Sequence, residues 1–324
     1  MIAPDPTGPR GAGLPRPGLG FGGAYLVGAL HAHASRRLVD VAFERGVRHF
    51  DVAPSYGLGT AEAVLGSALH KRRDAVTITT KVGLPGARLS LPKLLLRSAA
   101  APLRARFPSL GRGAPGPAAG AAPAAASPRQ ARFDLGFVRG SVEESLRRLR
   151  TDHVDVLLLH EAWPEDVTEE LVRYLEDGRA AGRFRAIGIG SDRGHNQAIV
   201  ARWPGVFDVV QHSWSVLDRA APAFADDVLT ITHRAVMGAL QPLRARLADQ
   251  AFCRAGSEAT GTDLADPRRL APLLLGAALA ANPAGLALIG SRSQGRLLES
   301  LAILDDPGAI AAGGRLRAFL ARPA

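Results

Sequence analysis

Three short apolar runs each end on an ionisable residue: Val47 to Asp51, Val76 to Lys81, and Val154 to His160. A tyrosine, Tyr56, follows the first of them in the turn-like Pro54-Ser55-Tyr56-Gly57. In a parallel α/β fold the C-terminal ends of strands and the loops beyond them form the active face. An acid, a phenol, an ammonium and an imidazole would therefore meet there. A phenol with its ordinary pKa of about 10 is a poor proton donor at neutral pH. A nearby ammonium favours the phenolate and lowers that value. The expectation is that Lys81 acts on Tyr56 in this way and that Asp51 keeps Lys81 charged and oriented. His160 would then hydrogen-bond an oxygen of the reacting molecule. Taken singly, Asp51 could be a helix cap, Lys81 a snorkelling strand end, Tyr56 a loop aromatic and His160 a core histidine. Only three of the 40 basic residues are lysines (Lys71, Lys81 and Lys93), which makes a lysine inside an apolar run a pointed choice.

The elements that must position these groups alternate along the chain. Strands are expected near 18–23, 47–52, 76–81, 153–160, 184–190, 206–212, 228–233 and 285–290. Helices are expected near 34–45, 60–70, 139–150, 166–181, 193–202, 218–225, 239–253 or 267–281, and 293–304. The helix near 139–150 carries Val142, Leu146 and Leu149 on one face and Glu143, Glu144, Arg147 and Arg148 on the other. Eight such units predict an α/β fold, a single (β/α)8 TIM barrel over residues 17–324, with a disordered lead-in over 1–16.

Residues 84–132 interrupt the rhythm after the third strand. This segment holds eight basic residues and no acidic one, so it accounts for most of the net charge of +10. The charge therefore does not indicate a nucleic-acid partner. Its Ala-, Gly- and Pro-rich stretch from Gly111 to Pro128 predicts a long, mobile insertion. It reads as a solvated variable loop, with a substrate lid or a contact for an anionic surface as the sharper alternatives. No run of 18 apolar residues suggests a transmembrane segment, and the single cysteine, Cys253, excludes an intramolecular disulfide. A cytoplasmic location is the default expectation. His31-Ala-His33 could suggest a metal, but no metal-ligating acid stands at the last strand, where Gly290-Ser-Arg292 is found; no metal site is expected. Gly18-Leu-Gly-Phe-Gly-Gly23 lacks the spacing of a dinucleotide-binding turn and reads better as the first strand.

The segment Phe50 to Gly66, with Thr80-Lys-Val82, Ser141 to His160, Ala186 to Ser191, Gln211 to Ser215 and Ile289 to Ser293, resembles the aldo-keto reductases. The matches occur in family order and span most of Gly18 to Leu301. The resemblance implies a (β/α)8 barrel, NADP(H) (with NAD(H) possible) lying across its mouth, and reduction of an aldehyde or ketone by hydride transfer with Tyr56 as proton donor. It further implies cofactor contacts at Gly20, Phe21, Ser191, Gln211, His233, Ser291, Arg292, Arg296 and Glu299. Of these, Ser191 stands where the family commonly has Asn, and His233 where it commonly has a stacking Tyr. Trp163 and Trp214 would line the substrate pocket. The Asp-x-Ala-Pro-x-Tyr-Gly-x-Gly pattern is similar to the aldose and galactose dehydrogenase branch, so a sugar lactol is among the expected small-molecule substrates. The alternative is a nicotinamide-binding regulatory protein with little or no turnover.

Overall fold

The computed structural model describes residues 17–28, 31–86, 131–221, 224 and 227–322. The expected lead-in over 1–16, and residues 87–130 of the expected insertion, lie outside them. Eight parallel strands close into a barrel in chain order, β8 returning to β1. They are β1 Gly18–Gly22, β2 His49–Asp51, β3 Thr77–Val82, β4 Val154–His160, β5 Phe184–Gly190, β6 Val209–Ser213, β7 Leu229–His233 and β8 Leu286–Ile289. Among the described residues, the helices outside it are α1 Ala32–Glu44, α2 Ala61–Leu69, α3 Leu135–Leu149, α4 Glu169–Ala180, α5 Arg193–Arg202, α6 Ala235–Leu247, α7 Gln250–Thr260, α8 Pro267–Ala281, α9 Gln294–Leu301 and α10 Pro307–Leu320. The expected barrel is thus the observed fold.

Two expectations change. The described residues of 218–225 form no helix. The alternatives 239–253 and 267–281 both form, the first as two helices, because Asp249 accepts hydrogen bonds from the N–H groups of Ala251 and Phe252 and starts α7. Helix α10 has no counterpart among the expected elements. Its Ala- and Gly-rich run shows little periodicity, although Asp306-Pro307 is a sound start signal and Asp306 does cap Ala309 N–H.

Strand alternation decides which residues face the barrel interior. Val156 and Leu158 of β4, Ala186 of β5, Val209 of β6, Ile231 of β7 and Leu286 of β8 cluster inside. Leu157, Leu159, Ile187 and Ile189 pack outward against the helices. Two glycines make room for large inner side chains. A Cβ at Gly188 would stand 2.5 Å from Leu158 Cδ2, and one at Gly20 would stand 2.8 Å from the His49 ring. The same parity puts Asp51, Lys81, His160, Gln211 and His233 on the inner face at the C-terminal mouth, above that filling.

Two buried aspartates on the outer side tie neighbouring strands together. Asp155 accepts from Ile78 N–H at 2.8 Å, pairs with Arg73 at 2.8 Å and pairs with Arg185 at 3.1 Å. Asp208 accepts from Ile187 N–H at 3.0 Å and from Arg179 at 3.1 Å. Arg73 also donates to Thr151 Oγ1 and to the carbonyls of Val76 and His153, which locks β3 to β4 below the mouth. Removing one member of a buried pair leaves the other charge uncompensated, at roughly 3–5 kcal/mol. Asp155→Ala should therefore lower the denaturant midpoint by that equivalent with the slope unchanged. Asp155→Asn, which keeps an acceptor for Ile78 N–H, should fall between. An unaltered midpoint for Asp155→Ala would refute the clamp.

Candidate active site

Lys81 and Asp51 are 1% and 2% exposed, and Lys81 Nζ donates to Asp51 Oδ2 at 2.5 Å. Nζ also donates to Gln211 Oε1 at 2.7 Å, while Gln211 Nε2 donates to Asp51 Oδ2 at 2.7 Å. Two of the three ammonium N–H groups are so engaged, leaving one for the Tyr56 side. The Tyr56 ring centroid is 5.6 Å from Nζ. His160 meets Tyr56 edge-on, with centroids 5.9 Å apart and planes at 87°. The four residues expected at the active face are therefore together at one mouth.

Tyr56 owes its place to the turn that follows it. Gly57 and Leu58 both adopt left-handed backbone, with φ of 56° and 59°. A Cβ at Gly57 would fall 1.7 Å from the Leu26 carbonyl oxygen, so only glycine lets the β1 and β2 loops close on each other. Thr60 stitches them by accepting from Gly28 N–H at 2.7 Å and donating to the Gly57 carbonyl at 2.6 Å. Helix α2 then brings Glu62 beneath β3, where it accepts from the Thr80 hydroxyl at 2.7 Å and faces Arg148 at 3.6 Å. Burial raises the Glu62 carboxyl above its ordinary range.

The electrostatics correct one expectation. Burial pushes the Tyr56 phenol well above its ordinary value, and the carboxylates of Asp51 and Glu161 push it the same way. Burial also pushes the Lys81 ammonium down, against the pull of Asp51. In the resting site the ammonium therefore does not lower the phenol. Its field is largely offset by the carboxylate 2.5 Å away, and the half-buried phenol has lost water. Relative to water, then, Lys81 holds its proton less firmly and Tyr56 more firmly. His160 is held neutral, pushed down to about 3 by burial, with Lys81 and His233 adding to it. His233 falls to about 4, again mainly by burial. Buried His160 Nδ1 has no hydrogen-bond partner among the described residues, so the neutral ring carries its proton best on Nε2.

The remaining expected residues are less uniformly placed. Ser191 donates its hydroxyl to the Ala162 carbonyl at 2.8 Å and so can offer a ligand only its lone pairs. Phe21 is 1% exposed and packs on Phe50 with centroids 6.0 Å apart; its side chain serves the core, and only backbone there can face a ligand. Gly20 lies deeper, under Leu288 and His49. Trp163 is 43% exposed at the rim, stacked on His195 at 5.3 Å. Trp214 is buried and donates to the Ala220 carbonyl at 3.0 Å, so it packs the wall more than it faces the opening. Three residues of consequence escape the sequence reading: Glu62, Glu161 and Asn196. Glu161 follows His160 with φ of 59°. Fully buried Asn196 donates to the carbonyls of Ser191 and Gln211. A lone polar residue in a helix gives no sign of its burial. Glu62 alone of the three lies within the Phe50–Gly66 segment, where a motif could have drawn attention to it.

A dinucleotide fits the donors after β8. Helix α9 starts at Ser293 without a side-chain cap, and exposed Arg292 and Arg296 flank that start. The Arg292 guanidinium lies 4.9 Å over the Tyr25 ring, and Ser291 Oγ donates to the Ser293 carbonyl. Uncapped N–H groups with two guanidinium groups suit a phosphate. Glu299, one turn on, lines an outer cleft of about 460 Å3 with Arg269, Asp306 and Arg315.

Residues 18–235 match the model of the Aldo/keto reductase family. The chain is 35% identical over 191 residues to a D-threo-aldose 1-dehydrogenase from a Pseudomonas species, covering 56% of this chain and 51% of that protein. It is 30% identical over 169 residues to a 6-dehydroglucose reductase from Agrobacterium fabrum, covering 50% and 44%. The chain thus spans about half the length of the curated relatives it matches. The fold is similar to that of an aldo-keto reductase from Bacillus halodurans in its holo form, with a TM-score of 0.64 at 20% identity over 92% of this chain and 91% of that one. A Klebsiella pneumoniae aldo-keto reductase solved with NADPH gives 0.58 at 20% identity, over 89% and 85%. With a family match over residues 18–235, which hold β1 to β7 and Asp51, Tyr56, Lys81 and His160, this chain belongs to the aldo/keto reductase family.

Proposed function

We propose that this protein is an NADP(H)-dependent oxidoreductase that interconverts a small carbonyl compound and its alcohol. The observation that carries the reading is the buried Asp51–Lys81 pair beside Tyr56, with neutral His160 edge-on to the phenol. When bound, the dinucleotide supplies or accepts the hydride. The chain's own residues handle the oxygen and its proton. Tyr56 keeps its proton at neutral pH and gives it to the oxygen as negative charge develops there. The phenolate so formed faces the remaining N–H of Lys81, whose lowered proton affinity lets it return a proton to the phenol. His160 Nε2–H donates to the same oxygen and orients it. Arg292, Arg296 and the uncapped N–H groups that start α9 hold the phosphates, favouring the 2′-phosphorylated dinucleotide, with NAD(H) the weaker ligand, while the Ser291 hydroxyl, engaged by Ser293, shapes the turn. His233 offers a half-buried ring face to the nicotinamide, and Gln211 retains one lone pair and one N–H for it. The two sugar-acting relatives support an aldose, lactol or related polyhydroxy compound as substrate.

A panel of aldehydes, ketones and aldoses followed by NADPH and NADH absorbance tests the reading. Tyr56→Phe should lower kcat by roughly 10²–10⁴-fold while NADPH still binds. Undiminished turnover would refute Tyr56 as the donor, and binding without turnover in the unaltered protein would favour a regulatory role. Arg292→Ala and Arg296→Ala should each raise the KM for NADPH by roughly tenfold and leave that for NADH nearly unchanged, the scale of one lost charge-assisted hydrogen bond. Equal losses for both dinucleotides would argue against a 2′-phosphate contact.

A further inference from the structure

The carboxamide of Gln211 closes a ring of three side chains drawn from β2, β3 and β6. Only one orientation of the amide is compatible with its neighbours. Turned over, its NH2 would face the ammonium and its oxygen the carboxylate, setting like partial charges against both. As it stands, the oxygen end stabilises the ammonium and the N–H end stabilises the carboxylate. Both effects favour the charged pair. The residue is 4% exposed, and its own backbone is fixed, since its carbonyl accepts from Asn196 Nδ2 at 3.1 Å and it pairs in register with Gly190.

We propose that Gln211 is a positioning residue for Lys81, its carboxamide clamping ammonium and carboxylate together across the barrel mouth. The proposal deepens the oxidoreductase reading and rests on it only where turnover is concerned. It goes beyond a contact to the nicotinamide, because the amide acts through Lys81 whether or not a dinucleotide is present.

The consequence is a pH limit set from β6. Among the described residues, the titratable groups around Lys81 are Asp51, Tyr56, His160, His233 and, one layer deeper, His49. Burial pushes His49 and His233 to about 4 and His160 to about 3, so all three are neutral near pH 7. No histidine charge competes with the clamp there. Burial favours neutral lysine, and Asp51 opposes it. Removing the Gln211 oxygen removes an acceptor from the charged form, so Lys81 must then lose its proton at lower pH.

The three lysines of the chain make this directly measurable. With ε-¹³C-lysine labelling of the full chain, each lysine gives one titrating resonance, and Lys71→Arg and Lys93→Arg assign Lys81 by elimination. Gln211→Met should move the Lys81 midpoint down by about one pH unit, the scale of one hydrogen bond to a charged group. Gln211→Glu keeps an acceptor of the same reach and adds negative charge; its midpoint should lie at or above that of the unaltered chain. This second variant decides the matter if Gln211→Met does not fold. In turnover, the high-pH limb of kcat at saturating NADPH should follow the Lys81 midpoint. A Lys81 midpoint unmoved in Gln211→Met, or lowered in Gln211→Glu, overturns the proposal and leaves Gln211 a cofactor contact alone. A moved midpoint in a protein that oxidises no NADPH with any carbonyl would instead overturn the oxidoreductase reading and keep the clamp.

Discussion

Burying an ammonium at the mouth of a closed barrel is the constraint on which the rest of this structure depends. Lys81 is 1% exposed, and a charge taken that far from water costs several kcal/mol unless it is compensated. Asp51 and Gln211 provide the compensation from two other strands. The arrangement therefore exists only if β2, β3 and β6 are in register around one barrel. The apolar filling below, Val156, Leu158, Val209, Ile231 and Leu286, sets the height at which the polar layer sits. The outer aspartates Asp155 and Asp208 hold neighbouring strands by side-chain bonds to backbone N–H groups, so the polar layer is built on strands that are pinned independently.

That constraint also decides how the site manages charge. His160 and His233 are neutral, so Lys81 is the cation of the inner layer, and its partner is a single carboxylate. The phenol stays protonated because burial and the two nearby carboxylates outweigh an ammonium already engaged by Asp51. In the proposed mechanism a protonated phenol beside a lysine of reduced proton affinity gives a proton and then regains one.

Much of this is legible in the residues. Asp51, Lys81 and His160 close apolar runs, and strand alternation alone puts them on one face. Barrel closure follows from eight alternating units. What escapes has a common physical cause. The direction of the Tyr56 shift is set first by burial and then by the Asp51 and Glu161 carboxylates, which depend on the folded surroundings and not on residue type. Gln211 reads as a cofactor contact because nothing along the chain reveals that β6 carries its amide to within 2.7 Å of both members of the pair. Phe21 reads as a cofactor contact from its place in the first strand, and Trp214 as a substrate contact because aromatic walls suit a small ligand. Their burial, which the fold imposes, turns them to packing instead. Helix α10 goes unseen because its small residues, such as Gly313 against the Ala277 backbone, allow close helix packing without an obvious apolar stripe.

In the proposed mechanism Asp51 acts through Lys81. A double-mutant cycle of Asp51→Asn and Lys81→Met, read as kcat/KM for NADPH-dependent reduction of an aldehyde that the unaltered protein turns over, tests it most directly. A large loss is expected for each single change, with no further loss in the double mutant beyond that of Lys81→Met alone. Losses that multiply would contradict it, since they would mean that the carboxylate contributes to the reaction independently of the ammonium it holds.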